Sequence, residues 1–293
     1  MMMDIRPTLI ADEACHVGEN PLWHPEQKRL YWIDILQGRI FRYDPATGDH
    51  ELCYEDQIVG GFTLQEDGKL LLFLSRGSVK TWDDGHLETI IDEIPEERDN
   101  RFNDVIADPE GRVFCGVMST PDRPGRLYRL DPDRSLRTIL EGCGTSNGMG
   151  FTPDLKQMYH TDTGRDFRWI RRFDYDRATG RISNPTLFHQ RAPGTGKPDG
   201  MTVDAEGCVW SALWDGQALI RLAPDGTMIQ RIDFPVPKVS CITFGGDDYT
   251  DMFVTTAGGH LRDEEGSQAG ALYHLNLGIP GRPEFRSRIS MFK

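Results

Sequence analysis

The sequence predicts an all-β protein, a six-bladed β-propeller. Helical periodicity is scarce, and short runs rich in β-branched and aromatic residues alternate with turns along the whole chain. The turns contain Asp, Pro and Gly, as in DPEGR and DAEGC, because Asp bonds locally and Gly accepts positive φ. One hairpin pattern recurs six times at intervals of 40–51 residues. That period, with four short strands in each repeat, indicates a propeller.

Each copy of the hairpin has a buried apolar anchor in its second strand. The anchors are Leu30, Leu70, Val113, Met158, Val209 and Met252. Their separations are 40, 43, 45, 51 and 43 residues. Six such periods fill the chain without a linker or a change of composition, so residues 1–293 are predicted to form a single domain.

A propeller also needs a device that closes its ring. The N-terminal segment RPTLIADEAC (6–15) and the C-terminal segment EFRSRISMF (284–292) both have strand-like sequences. We expect them to pair in one blade, because this would cover the open edge of the sheet.

Composition and charge exclude several classes of partner. The net charge of −13 argues against a nucleic-acid surface, which needs a basic face. The longest apolar runs, such as LLLFL (70–74), are too short to cross a membrane, and no secretory signal is visible. The six cysteines are scattered without a C-x-x-C pair, which argues against a disulfide framework or a structural zinc site. We therefore expect a cytoplasmic protein without nucleic-acid or membrane partners.

The repeat brings distant polar residues to one place. The innermost strand of each blade lines the central channel, so equivalent positions form a ring around it. Counting back 10 or 11 residues from each anchor gives Glu19, Gly60, Asn103, Asn147, Asp199 and Cys241. Four of these six, spread over 180 residues, carry a carboxylate or a carboxamide. They are predicted to meet at the mouth of the channel.

Such a set of side chains favours a metal site. Two converging carboxylates repel each other, and a divalent cation removes that repulsion. Oxygen ligands favour Ca²⁺, and Mg²⁺, Mn²⁺, Zn²⁺ and Fe²⁺ are the alternatives. An incomplete set of protein ligands leaves positions open for water and substrate, as in catalytic metal sites. Taken singly, each of these residues is an ordinary turn-former; their shared register is the argument for a site.

Several motifs resemble those of the regucalcin/gluconolactonase (senescence-marker-protein) family of sugar lactonases. They are GENPLW, RFND, SNGMGFTPD with YHTDT, and PDGMTVDAEGCVWSALW. The resemblance implies that Glu19, Asn147 and Asp199 bind one divalent metal at the top of the channel. It also implies that Asn103 touches the substrate and that Arg101 reaches the sugar hydroxyls. An i, i+2 pair on an extended segment can point both of these groups into the mouth.

The sequence thus predicts a divalent-metal-dependent hydrolase that opens sugar lactones (aldonolactones) to aldonic acids. Asp199 is the candidate for orienting or deprotonating the attacking water, with a hydroxide on the metal as the alternative base. One alternative function is a phosphotriesterase or arylesterase on the same propeller. Another is a non-enzymatic calcium-binding propeller.

Other features are assigned structural or undecided roles. We expect Asp34 and Asp162 to make structural hydrogen bonds to the next blade, and His160 to be a less favoured candidate for lining the mouth. Trp214 is either a wall of the sugar site or a core aromatic. Residues 257–270 are a lid or a mobile insertion, and residues 92–100 are a solvated acidic loop.

Overall fold

The chain forms six four-stranded antiparallel sheets arranged as the blades of a propeller. The structure is a computed structural model that describes residues 6–164 and 167–290. The chain begins with strand β1 (Thr8–Ala11), which belongs to the last blade. The prediction of a six-bladed all-β propeller is confirmed, and the assignment of residues 1–293 to a single domain stays a prediction.

The first three blades follow one another along the chain, each from its inner to its outer strand. Blade 1 consists of β2 (Gly18–His24), β3 (Arg29–Asp34), β4 (Arg39–Tyr43) and β5 (His50–Glu55). Blade 2 consists of β6 (Val59–Leu64), β7 (Leu70–Leu74), β8 (Val79–Asp83) and β9 (His86–Ile91). Blade 3 consists of β10 (Phe102–Ala107), β11 (Val113–Val117), β12 (Gly125–Leu130) and β13 (Leu136–Cys143).

The remaining blades continue the pattern. Blade 4 consists of β14 (Thr145–Phe151), β15 (Gln157–Thr163), β16 (Arg168–Asp176) and β17 (Arg181–Gln190). Blade 5 consists of β18 (Lys197–Val203), β19 (Val209–Trp214), β20 (Ala218–Leu222) and β21 (Met228–Asp233). Blade 6 consists of β22 (Val239–Gly245), β23 (Asp251–Thr256), β24 (Leu272–Asn276) and β1. The described helical segments are two 3₁₀ turns, Pro95–Glu97 and Gly259–Leu261, and α1 (Arg262–Glu265). In the described part of the chain, no helix is long and apolar enough to span a membrane.

Burial follows the radial position of each strand. The inner strands β2, β6 and β22 are buried at every position, whereas the outer strands β5, β9 and β21 are largely exposed. The six predicted anchors lie at the start of the second strands and are at most 2% exposed. Apolar side chains between neighbouring blades form the core, so each blade depends on the next for its burial.

The turns between strands follow the predicted chemistry. In DPEGR, Oδ1 of Asp108 accepts hydrogen bonds from the backbone N–H groups of Glu110 (2.8 Å) and Arg112 (3.0 Å). In DAEGC, Asp204 does the same for Glu206 (3.0 Å) and Cys208 (2.9 Å). The glycine of each turn has positive φ. The recurring turn therefore places each second strand in the same register.

The predicted ring closure is only half right. The N-terminal strand β1 pairs antiparallel with β24 and completes blade 6, so the first and the last strands in the chain order lie in one sheet. The C-terminal segment does not join it. Its backbone is bonded to Gly111 through Arg288 and to Leu64 through Ser287, so it crosses beneath blades 2 and 3. Residues 291–292 of the predicted pair lie outside the described residues.

The C-terminal segment closes the lower end of the channel. Pro280 accepts a hydrogen bond from the N–H of Ala205 in blade 5, and Ile289 packs into the core between blades 2 and 3. Glu284 and Phe285 line the channel from below. The mouth at the opposite end is therefore the open end of the channel.

Candidate active site

A pocket of about 480 Å³ occupies the mouth of the channel. All five residues predicted for the site contribute to its lining: Glu19, Arg101, Asn103, Asn147 and Asp199. They come from blades 1, 3, 4 and 5, at the N-terminal ends of inner strands or one residue before them. Equivalent positions of the repeat therefore do meet, as the spacing predicts.

A break in strand pairing accompanies each ring position. The pairing register of β2 shifts between Glu19 and Leu22, and that of β14 shifts between Ser146 and Met149. Similar shifts occur in the other four inner strands. Bulges of this kind re-aim side chains, so consecutive residues can face different levels of the channel.

The strands approach closely at this level. A Cβ on Gly148 would lie 2.5 Å from the carbonyl oxygen of Asp199 in the next blade. Only glycine fits there, and Ser146 on the other side of Asn147 is fully buried. The small residues that flank Asn147 in the sequence thus allow its carboxamide to stand at the crowded axis.

A chain of hydrogen bonds links the guanidinium of Arg101, at the rim of the pocket, to Asn103 and Asn147 in the ring of polar residues. The Arg101 guanidinium donates to Oδ1 of Asn103 at 2.8 Å. Nδ2 of Asn103 donates to Oδ1 of Asn147 and, at 3.2 Å, to the carbonyl of Ser146. These contacts fix the positions of Arg101, Asn103 and Asn147 relative to one another before any ligand binds.

The two carboxylates of the ring lie in an unfavourable electrostatic environment. Burial raises the pKa of Glu19 well above its usual value, and the charges of Asp104 and Asp199 raise it further. Burial and Asp104 likewise raise the pKa of Asp199, whereas Arg101 and Lys197 lower it. Arg101 itself loses hydration, and its pKa falls to about 10 despite the nearby carboxylates. A bound cation would relieve this repulsion.

Sequence reasoning missed one carboxylate, Asp104. Burial raises its pKa to about 7, while Arg101 opposes the rise. It follows Asn103 directly, but the bulge turns it away from the mouth, into a second cavity of about 60 Å³ deeper in the channel. Its Oδ2 is buried and has no hydrogen-bond partner within the described structure. The sequence RFND contained the signal, since an acidic residue stands where blades 2, 4 and 5 have glycine.

The residues at the mouth fit an oxygen-ligated divalent cation. Within residues 6–164 and 167–290, no group of three or more His, Cys, Asp or Glu side chains is arranged to hold a metal. The predicted set differs from such a group because it combines two carboxylates with the carboxamide of Asn147. Carboxylate and amide oxygens with open positions for water are the usual environment of Ca²⁺ and Mg²⁺.

The repeated aspartates have a structural role. Asp34 accepts hydrogen bonds from the N–H groups of His16 (2.9 Å) and Val17 (3.1 Å), and Asp162 accepts one from Gly144 at 2.8 Å. These donors lie just before the inner strand of the same blade. The bonds therefore hold the incoming chain of the same blade. The predicted structural role is confirmed, but the expectation that these bonds reach the next blade is wrong.

Trp214 lines the mouth pocket, whereas His160 does not. His160 is 1% exposed and bonds through Nε2 to Oγ of Ser146 at 2.8 Å, and burial lowers its pKa to about 3. It supports the inner strand from behind, and the pocket lining does not include it. Trp214 is a wall of the pocket, together with Lys197, a residue that sequence reasoning did not select.

The loops at residues 257–270 and 92–100 both make contacts with buried parts of the propeller. Within residues 257–270, the backbone N–H groups of Gly258 and Gly259 donate to the carbonyls of His16 and Cys15. That loop packs on the N-terminal segment and contributes nothing to the pocket lining. In residues 92–100, five of the nine residues are exposed, as predicted for a solvated acidic loop, but Glu97 is an exception and is only 1% exposed.

Glu97 connects that loop to the site. It accepts hydrogen bonds from Tyr128 (2.7 Å), Arg126 (3.1 Å) and Nδ2 of Asn100 (2.8 Å). Asn100 in turn accepts the N–H of Arg101 at 2.9 Å. Arg123 is a fourth, more distant partner at 3.5 Å. A buried carboxylate with four partners thus positions the residue that precedes Arg101.

The fold and the pocket together define a six-bladed propeller with an oxygen-rich cleft at one end of its channel. The protein family described as the SMP-30/Gluconolactonase/LRE-like region matches residues 17–258 of this chain. Since this match spans most of the chain, the protein belongs to the SMP-30/gluconolactonase family.

Individual relatives align over almost their full length. Pentonolactonase XacC of Haloferax volcanii is 44% identical over 97% of this chain and 99% of its own length. The 6-deoxy-6-sulfogluconolactonase of Pseudomonas putida is 32% identical over 92% of this chain and 94% of its own. Regucalcin of Agrobacterium tumefaciens, a calcium-binding protein of known structure, superposes with a TM-score of 0.89 at 24% identity, over 97% of this chain and 98% of that one. That last similarity supports the fold.

Proposed function

We propose that this protein hydrolyses sugar lactones, opening aldonolactones to aldonic acids at the mouth pocket with the help of one divalent cation. The observation that carries the proposal is the convergence of Glu19, Asn147 and Asp199 with Arg101 and Asn103 in one pocket. Relatives named as lactonases for pentonolactones and for a sulfogluconolactone support the substrate class.

Glu19, Asn147 and Asp199 would hold the cation, with Ca²⁺ favoured by their oxygen donors and Mg²⁺, Mn²⁺, Zn²⁺ and Fe²⁺ as alternatives. When bound, such an ion supplies Lewis acidity towards the ester carbonyl. The carboxamide of Asn147 contributes no charge, so the ligand set brings at most two negative charges. The Asn103 amide donates to Asn147 and fixes its orientation.

Arg101 and Asn103 would bind the hydroxyl groups of the sugar. Arg101 is positioned by its bond to Asn103 and by Asn100, so little conformational entropy is lost when the substrate arrives. Val17, Met118 and Trp214 supply apolar surface to the same pocket. Polar groups on one side and apolar groups on another suit a sugar ring, which exposes both hydroxyls and C–H bonds.

Asp199 would orient the attacking water and accept its proton. The water oxygen bonds to the carbonyl carbon, the bond from that carbon to the ring oxygen breaks, and the proton passes to the released ring oxygen, which becomes a hydroxyl group. Burial raises the pKa of Asp199, which brings it nearer to the value that suits a general base at neutral pH. Arg101 and Lys197 oppose that rise.

The decisive experiment is a panel of aldonolactones assayed by proton release. The protein is first treated with chelator and then supplied separately with Ca²⁺, Mg²⁺, Mn²⁺, Zn²⁺ and Fe²⁺. We expect hydrolysis of at least one aldonolactone that disappears with chelator and returns with metal, and slower turnover of phosphotriesters and aryl esters. Absence of lactone hydrolysis with every metal, or an undiminished rate in metal-free protein, would refute the proposal.

A further inference from the structure

We propose that Lys197 is a further substrate-binding residue, which together with Trp214 selects among sugar lactones. This inference rests on the proposed lactonase function and deepens it. The two residues lie directly opposite each other on β18 and β19 and form one side of the mouth pocket.

The repeat places Lys197 in an upper ring of the pocket. The residues two positions before Glu19, Asn103, Asn147 and Asp199 all line the pocket. They are Val17, Arg101, Thr145 and Lys197. Arg101 and Lys197 are the charged members of this ring, and they come from blades 3 and 5, on either side of the blade that carries Asn147. The offset that brings Arg101 to the substrate therefore brings Lys197 there as well.

The ammonium of Lys197 is available for a ligand. Lys197 is half-buried, and within residues 6–164 and 167–290 its side-chain ammonium forms no hydrogen bond or salt bridge. Its charge acts on Asp199, which lies two residues further along the same strand. Holding an ammonium partly out of water without a close partner costs free energy, which a bound oxygen atom would recover.

Trp214 gives this side of the pocket a second property. Its indole ring belongs to the residue opposite Lys197 in the strand pair. The Nζ of a second lysine, Lys238, lies 5.6 Å from the centroid of that ring. Lys238 also pairs with Asp215 and Glu265, so it is held in place. An aromatic face beside a donor of up to three hydrogen bonds suits the C–H face and a hydroxyl of the same sugar.

A lactone in the pocket would therefore be held from two sides. Arg101 and Asn103 bind hydroxyls on the blade 3 side, and Lys197 donates to an oxygen on the blade 5 side. Lactones that differ in the configuration of one hydroxyl differ in whether they reach the Lys197 ammonium. Lys197 thus influences which lactone is preferred through a contact with the bound sugar.

The test compares Lys197→Met with Lys197→Arg on the metal-loaded protein, using the two best aldonolactones of the panel. Methionine keeps the length of the aliphatic part of the side chain and removes the donor. We expect KM for the better lactone to rise about tenfold with kcat changed less than about twofold, because a lost hydrogen bond to a charged donor weakens ground and transition states alike. The preference between the two lactones should also narrow, and Lys197→Arg should retain most of the wild-type KM.

Lys28→Met is the matched control, since Lys28 lies in an exposed turn outside the pocket and pairs with Asp247. It should leave both KM values unchanged. If the wild type hydrolyses lactones but Lys197→Met keeps the KM and the preference, the inference is wrong and the proposed function stands. If the wild type hydrolyses no lactone, the proposed function falls and the inference falls with it. Should Lys197→Met not fold, Lys197→Gln is judged by the same criteria.

Discussion

The guanidinium of Arg101 donates a 2.8 Å hydrogen bond to Oδ1 of Asn103, two residues along the chain. The Nδ2 of the same carboxamide donates to Asn147 in the next blade. Asn103 therefore connects the cation at the rim of the pocket with a residue proposed to bind metal. A single side chain holds the substrate-facing and metal-facing parts of the site in one geometry.

Replacing Asn103 should damage both parts at once. Asn103→Ala removes the acceptor for Arg101 and the donor for Asn147, and we expect kcat/KM for aldonolactones to fall about 10- to 100-fold. Initial-rate kinetics at saturating metal would measure the change. Asn276→Ala, at an exposed position of β24, is the control and should keep wild-type kinetics. A decrease of less than about twofold for Asn103→Ala would show that this connection is unimportant.

Glu97 should contribute to stability and to activity although it lies outside the pocket. Glu97→Gln puts an amide donor against Tyr128, Arg126 and Asn100, which all donate to the native carboxylate. We expect a loss of about 1–3 kcal/mol of unfolding free energy and a higher KM for lactones, because Arg101 is then less well positioned. Urea denaturation and steady-state kinetics would test both effects. Its neighbour Glu96 is exposed, so Glu96→Gln should change neither quantity; equal behaviour of the two variants would contradict the assigned role.

Glu284 should make stability depend on pH. Burial beneath the channel raises its pKa from 4.5 to about 6, although Arg282 and Thr202 oppose the rise. Between these values the folded state holds a proton that the unfolded state has released, so the unfolding free energy falls as pH rises through that window. We expect Glu284→Gln to be more stable than wild type by about 1–2 kcal/mol at pH 7.5 and equally stable at pH 4.

Urea denaturation of both proteins across pH 4–8 would measure this difference. The exposed Glu264 provides a control, because Glu264→Gln should follow the wild-type curve at every pH. A constant difference between Glu284→Gln and wild type over the whole range would show that ionisation of Glu284 is not involved.

The C-terminal segment should stabilise the propeller through Ile289. This side chain is 3% exposed and packs with Leu71, Phe73 and Val113 between blades 2 and 3. Ile289→Ala is expected to lower the unfolding free energy by about 2–4 kcal/mol, since it leaves a cavity in a packed core. Arg288→Ala, which removes an exposed side chain paired with Glu66, should cost less than about 1 kcal/mol. A similar loss of unfolding free energy in the two variants would contradict the conclusion that the segment stabilises the propeller through the packing of Ile289.

Much of the site was predictable because the fold is a repeat. A fixed offset from a buried anchor translates directly into position around the channel, so Glu19, Asn103, Asn147 and Asp199 could be placed together from spacing alone. Arg101 was implied by the resemblance to the lactonase family, and the period of an extended strand supported it. Lys197 stands two residues before Asp199, just as Arg101 stands two residues before Asn103. Comparing that position in all six repeats would have identified it.

Other features depend on contacts that spacing does not encode. The acidic residue in RFND could have been noticed, but its direction could not: Asp104 faces the inner cavity because of a bulge in the strand pairing next to Asn103. The C-terminal segment has a strand-like pattern, yet β1 already occupies the free edge of blade 6, and the segment crosses below the channel instead. Glu97 looked solvated because its partners Tyr128 and Arg126 lie about 30 residues away in blade 3.

The central claim is that Asp199 serves both a bound cation and the attacking water, and Asp199→Asn tests it most directly. The measurement is aldonolactone hydrolysis by this variant, with metal content determined on the same samples and circular dichroism to confirm the fold. Asp233→Asn, in the exposed outer strand β21 of the same blade, is the control. We predict one divalent ion per chain in the wild type, weaker retention in Asp199→Asn, and a loss of about 10²–10⁴-fold in kcat. Turnover close to wild type in a folded Asp199→Asn protein would contradict the account.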